Sequence, residues 1–242
     1  MLKAIPVFWL IVLCTCPSMA DSSSGNSAPS KFKIGSSLHD PGTLKHSETE
    51  LFHKTVRPQK RSLTKSAEGT EEDYLKAHRT DRGRVFEAMI ANAANEQLIS
   101  DGKSARVLVV AAELNDPEEI KEHPADLLLW DNGQVVQRYQ LKSYQNSKDV
   151  IAVITQPKKA ERYKNEVIVT HPEKLTEIRK RLSEQTKPLN SRWQKVERAL
   201  SEKRLTDEVP SGLKVPSLVL TQQVTDDFLR KEYVQITKSS TD

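Results

Sequence analysis

The sequence predicts a mixed α/β domain, and three observations lead to it. Apolar residues between Tyr74 and Leu98 recur at helical spacing. β-Branched apolar runs stand at Arg106 to Leu114 and at Glu166 to Thr170. Two further apolar runs flank a tight-turn signal, Asp131-Asn132-Gly133. A domain of roughly 150 residues is an ordinary size for such a succession.

In chain order, Lys3 precedes an apolar run from Ala4 to Cys16, which gives way to Pro17, Ser18, Met19 and Ala20. A charged start, an apolar middle and small residues at Ser18 and Ala20 predict a secretory signal peptide over residues 1–20. The apolar run falls short of the ~20 residues that span a bilayer, so a secreted or periplasmic chain with no stable membrane anchor after cleavage is expected. Both cysteines, Cys14 and Cys16, lie inside this segment. Cleavage would leave no disulfide, no thiolate nucleophile and no Cys-ligated zinc. The six histidines are scattered without paired ligand spacing, which argues against a zinc site. Residues 21–70, rich in Ser, Lys, Gly, Pro and Thr, read as a disordered leader, having too little apolar surface to offset the entropy of ordering.

Order is expected to begin at Thr70 to Asp73. Val85, Phe86, Met89, Ile90, Ala93, Ala94 and Leu98 form the helical stripe, which Asp101-Gly102 ends. A strand over Arg106 to Leu114 and an acidic loop with an Asn115-Asp116-Pro117 turn come next. Leu127 to Trp130 reads as a strand buried on both faces. In the returning strand, Val136, Arg138, Gln140 and Lys142 share one face, and Val135, Gln137, Tyr139 and Leu141 the other. A short helix from Pro157 to Lys164, the Glu166 to Thr170 strand, and charged helices at Glu173 to Thr186 and Ser191 to Arg204 complete a domain over 71–205. The extension 206–242 carries a strand signal at Ser217 to Leu220 and a short helix at Asp226 to Tyr233.

The net charge is +4, and +3 without residues 1–20, but its distribution is uneven. From Lys158 to Arg204 there are 14 Lys or Arg against 7 Asp or Glu, whereas Glu113 to Asp126 is acidic with one lysine. A basic face beside an acidic pocket suits a polyanion and a divalent cation, although charge alone favours a solvated helix.

If the turn joins neighbouring strands, Asp126 opens one, and Gln140 and Lys142 lie at the matching end of the other. Phosphodiester hydrolysis uses such a set: oxygen ligands for Mg²⁺ and a cation near the attacking water or the phosphate. These residues and the order of elements resemble the PD-(D/E)xK nuclease superfamily, the restriction-endonuclease-like fold. The matching stretches are Pro124-Ala125-Asp126, Gln140-Leu141-Lys142, Glu87 at the end of Gly83 to Glu87, the helix from Lys158 to Tyr163 and the strand from Glu166 to Thr170. Together they span about residues 80 to 170. Two features depart from the family pattern: Gln140 replaces the acid of the triplet, and Ala125 separates Pro124 from Asp126.

The resemblance implies a core of helix, three-strand meander, helix and strand, with added C-terminal helices. It implies Asp126, Gln140 and Glu87 as ligands of Mg²⁺ or Mn²⁺, with Glu96 or Glu113 as other sources of the helix acid. Lys142 would orient or help activate water. Lys158, Lys159 and Arg162 would hold phosphates of nucleic acid, DNA rather than RNA, with Arg179, Lys180 and Arg181 as a more distant patch. Tyr163 reads as core or as support behind the site residues, and Trp130 and Trp193 as packing rather than base-stacking platforms. Two functions follow: an exported metal-dependent nuclease, or a catalytically inactive nuclease-fold module that binds nucleic acid or a protein partner.

Overall fold

Thr70 starts the first helix with a reciprocal cap: Asp73 N–H donates to its hydroxyl, and Thr70 N–H donates to the Asp73 carboxylate at 3.1 Å. The structure, a computed structural model, describes residues 69–242 apart from 79–80, 115–116, 144–145, 210–211 and 240–242. The expected signal peptide and the leader up to residue 68 lie outside the described residues.

The described residues form an α/β fold with a five-stranded mixed sheet and nine helices. α1 (Glu71–Ala77) and α2 (Arg82–Ser100) precede β1 (Arg106–Val109), α3 (Val110–Glu113), α4 (Pro117–Glu122), β2 (Leu127–Asp131) and β3 (Gln134–Lys142). There follow α5 (Ser147–Thr155), α6 (Pro157–Arg162), β4 (Val167–Thr170), α7 (Pro172–Ser183), α8 (Ser191–Ser201), β5 (Leu205–Thr206) and α9 (Leu218–Ser239). The sheet order is β1-β2-β3-β4-β5; the first three strands form an antiparallel meander, and β3, β4 and β5 run parallel.

Helices cover both sheet faces. Phe86, Ile90, Ala94 and Leu98 of α2 pack with Val107, Val109, Leu127, Leu141 and Val169. The opposite face carries Ile168 and Leu205 against Val150, Ile151 and Val153 of α5, Leu175 and Ile178 of α7, and Val196 of α8. Alternation along β3 therefore turns Leu141 toward α2, and its neighbours Gln140 and Lys142 the other way.

Several expectations are corrected. The helix predicted from Tyr74 to Leu98 is two helices, broken where Asp81 gives its carboxylate to His78 Nδ1 at 2.8 Å. The strand predicted to Leu114 stops at Val109, opposite Leu127. The chain coils instead through Ala111, Ala112 and Glu113, all fair helix formers. The acidic loop contains α4. Val135 lies opposite Trp130 and packs with Leu108 and Leu128, because a bulge after Leu129 shifts the alternation. α5 fills a stretch with no predicted element: Val150, Ile151, Val153 and Ile154 favour strands, and burial against the sheet overrides that preference. In place of the strand predicted at Ser217 to Leu220, α9 begins at Leu218, and it also absorbs the short helix. β5 was not predicted.

α9 packs against the first two helices. Leu229 is buried with Tyr74 and Val85; Arg82 meets Asp226 at 2.6 Å, and Arg230 meets Glu71 at 3.1 Å. No helix among the described residues is long and apolar enough to cross a membrane.

Candidate active site at the open end of the hairpin

Asn132 and Gly133 have φ of 47° and 83°. Two successive left-handed residues make the tight turn that matches strand twist and joins β2 directly to β3. The turn thereby fixes which residues meet at the other end. There Asp126 N–H donates to the Tyr139 carbonyl at 2.8 Å, and the Asp126 carbonyl accepts from Val110 N–H at 2.9 Å. With its backbone held from both sides, Asp126 directs its side chain to β3. Its Oδ2 accepts from Leu141 N–H at 2.8 Å and from the Gln140 side-chain amide. Asp126 and Gln140 are in contact.

Lys142 ends the same strand, with Nζ 4.8 Å from the centroid of the Tyr163 ring, while the Arg162 guanidinium lies 5.4 Å from that centroid. Such cation–π contacts hold a flexible lysine while leaving its charge intact. Arg162 also donates to the Lys121 carbonyl at 2.9 Å, which tethers α6 to α4. Tyr163 thus links two cations beside the acid.

Glu87 comes from α2 and is buried. Arg84, one helical turn earlier, donates from Nη1 to both its oxygens, at 3.0 and 2.7 Å. Burial first, and the nearby Asp126 charge second, push the Glu87 carboxyl up to about 8, against the pull of Arg84 and Lys142. Burial also raises the Asp126 carboxyl; Lys142, Arg84 and Arg162 oppose it. Two acids and three cations therefore act on one another at this end of the sheet. Glu96, by contrast, is exposed on α2.

The carbonyl of Lys142 accepts from Thr170 Oγ1 at 3.1 Å, and Ser143 Oγ lies 2.9 Å from His171 Nε2. His171 Nδ1 is 2.8 Å from the Pro216 carbonyl. A carbonyl only accepts, so Nδ1 carries the proton and Nε2 accepts from the Ser143 hydroxyl. Burial pushes the His171 pKa down, which keeps the ring neutral.

Lys158 and Lys159 are exposed on α6, as is Arg162. Trp130 packs against the Leu108 and Leu128 cluster, and Trp193 against the one formed by α5, α7 and α8. No family model, curated protein or solved structure matches this chain.

The geometry also brings in residues that the sequence reading passed over: Arg84, Thr170, Ser143 and His171. Arg84 was open to discovery, since three-residue spacing on a helix pairs it with Glu87. Thr170 and His171 depend on the parallel pairing of β3 with β4, which Lys142↔Thr170 register creates and no local pattern announces.

Asp126 and Gln140 are in contact, and Glu87 acts on Asp126 electrostatically from α2. Two carboxylates and an amide carbonyl are oxygen donors of the kind hard divalent cations take, although Gln140 presents its nitrogen to Asp126 and Arg84 engages both oxygens of Glu87. Among the described residues no group of three or more His, Cys, Asp or Glu side chains is arranged to hold a metal ion. Burial raises both carboxyls, a shift that a divalent charge beside them would oppose.

Proposed function

We propose that this protein is an exported, metal-dependent nuclease of the restriction-endonuclease-like type, hydrolysing phosphodiester bonds of nucleic acid. One observation carries the reading: the Asp126–Gln140 contact, with Lys142 two residues beyond and Glu87 electrostatically joined to Asp126. The succession of helix, three-stranded meander, helices and parallel strand supports it.

Asp126, Glu87 and, after rotation of its amide, the Gln140 carbonyl oxygen would hold Mg²⁺ or Mn²⁺. The bound ion would supply Lewis acidity toward a phosphate oxygen and a more acidic water. Lys142, steadied over Tyr163, orients the attacking water and offsets charge growing on the phosphate. Lys158, Lys159 and Arg162 present exposed charge to flanking phosphates, contacts that position a strand without reading its sequence.

A second reading is favoured by a specific observation. Both oxygens of Glu87 are engaged by Arg84, and Gln140 turns its nitrogen to Asp126. A site closed in this way fits a nuclease-fold module that binds nucleic acid or a protein partner without cleaving. Incubating the purified protein with plasmid, single-stranded DNA and RNA, with Mg²⁺, Mn²⁺ or chelator, separates the two. Metal-dependent cleavage lost in Asp126→Ala and Lys142→Ala is the expected result; a folded protein that cleaves none of them is the binding module.

A further inference from the structure

We propose that Arg84 couples metal occupancy to phosphate binding. Without metal its guanidinium is held by the two oxygens of Glu87; when a divalent cation takes those oxygens, the same guanidinium is released to a backbone phosphate of nucleic acid. The inference rests on the metal-site reading above and adds a residue that this reading does not use.

Arg84 and Lys142 are differently held. Lys142 rests against the Tyr163 ring, 4.8 Å from its centroid, and a metal at the acids leaves that contact in place. The partner of Arg84 is itself a candidate ligand: Nη1 spans both oxygens of Glu87 at 3.0 and 2.7 Å. A carboxylate whose two oxygens hold a guanidinium cannot give them fully to a metal as well. Metal and Arg84 therefore compete for Glu87.

Position and charge say where the displaced group goes. The Arg84 side chain is 28% exposed and that of Glu87 8%, so Arg84 bridges the buried acid and the solvent side. Asp126 also acts on Arg84, which places the guanidinium within the field of the whole site. A divalent cation adds two positive charges to that group, and a phosphodiester is the anion the proposed reaction brings there. The contact to Glu87 employs one nitrogen of a group with five N–H donors, whose planar fork suits phosphate oxygens. Linkage then requires metal and nucleic acid to strengthen each other's binding by the same factor.

The test measures binding of a fluorescent DNA duplex to the full chain by anisotropy, across a salt series, with Ca²⁺ or with chelator. Ca²⁺ takes the same class of oxygen ligands. Each phosphate contact contributes about one unit to the slope of log affinity against log salt. With Ca²⁺, Arg84→Gln is expected to lower the slope by about one and weaken binding about tenfold, while Arg84→Lys keeps the slope. With chelator, wild type and Arg84→Gln have equal slopes. Glu87→Ala, which removes both acceptor oxygens and so frees Arg84 by other means, raises the chelator slope by about one; it provides a reading even if Arg84→Gln fails to fold. Equal slopes for wild type and Arg84→Gln under both conditions overturn the proposal, as does an equal loss with and without Ca²⁺, and the nuclease reading survives either result. No duplex binding under any condition overturns both.

Discussion

The side-chain amide of Gln140 on β3 donates to the carboxylate of Asp126 at the start of β2, and the neighbouring Leu141 N–H donates to the same oxygen at 2.8 Å. Gln140 thus serves as a donor in a place where the proposed nuclease reading would have an acid. It satisfies a partly buried carboxylate that would otherwise lack that partner. The same geometry obliges the amide to rotate before its oxygen can face a cation.

Replacing Gln140 by Glu separates these two roles. The variant loses the amide donor and gains a negative charge beside Asp126 and Glu87, so the metal-free protein is expected to lose about 1–3 kcal/mol of stability. A third carboxylate is also expected to tighten Mg²⁺ binding about tenfold or more. Thermal unfolding with and without Mg²⁺ checks both: a lower midpoint without metal, and a larger rise on adding it than wild type shows.

Lys142 and Tyr163 are expected to fall into different classes. Lys142→Ala should reduce single-turnover cleavage about a hundredfold or more, as removal of a charge stabiliser does. While keeping an apolar side chain against the cluster of α5, α7 and α8, Tyr163→Leu removes the ring that steadies Lys142 and Arg162. That contact is worth about 0.5–1 kcal/mol at exposed sites, so a loss of a few-fold is expected. Equal losses in both variants would contradict the separate roles.

What could be read before folding was whatever lies close along the chain. Asp126 and the Gln140 to Lys142 triplet belong to one hairpin, whose turn is announced by Asn132-Gly133. Glu87 was reachable only through the resemblance, since a helical glutamate looks like any other. The ties from Thr170 and His171 were invisible, because they arise from parallel pairing across two intervening helices. α5 escaped because its β-branched residues conceal a helix that the sheet, not propensity, imposes.

Glu87 gives a pH dependence of definite sign. Its carboxyl is raised from the ordinary 4.5 to about 8 in the fold, by burial and by Asp126. Between those values the folded state holds a proton that the unfolded chain has released. Stability from this group is therefore complete below 4.5 and is lost as pH rises through 8. Urea unfolding of wild type and Glu87→Gln should diverge in favour of the variant across that window, by at most about 1.4 kcal/mol per pH unit. A constant difference from acid to alkaline pH would refute the assignment.

His171 acts on the acid side. Burial depresses its pKa below the ordinary 6.5, so the unfolded chain takes up a proton first as pH falls. Its contribution is present above 6.5 and is lost below that value, toward the depressed folded pKa. Acid unfolding of His171→Gln is expected to show a shallower dependence below 6.5 than wild type, together with a weaker hold on Ser143 and Pro216.

Helix α9 gives the chain a schedule. Gln140 and Asp126 are 14 residues apart, whereas Arg230 reaches back 159 residues to Glu71, and Tyr233 reaches 164 residues to Gly69. A polypeptide made from its N-terminus onward therefore has the hairpin of Asp126 and Gln140 in hand while Tyr74 and Val85 still await Leu229. During that interval an apolar surface stands open to chaperones, proteases and its own kind. Chains halted before Leu218 are expected to bind a hydrophobic dye that the finished protein ignores. The emergence of α9 (Leu218–Ser239) is thus the moment at which the nascent chain stops being a client of quality control.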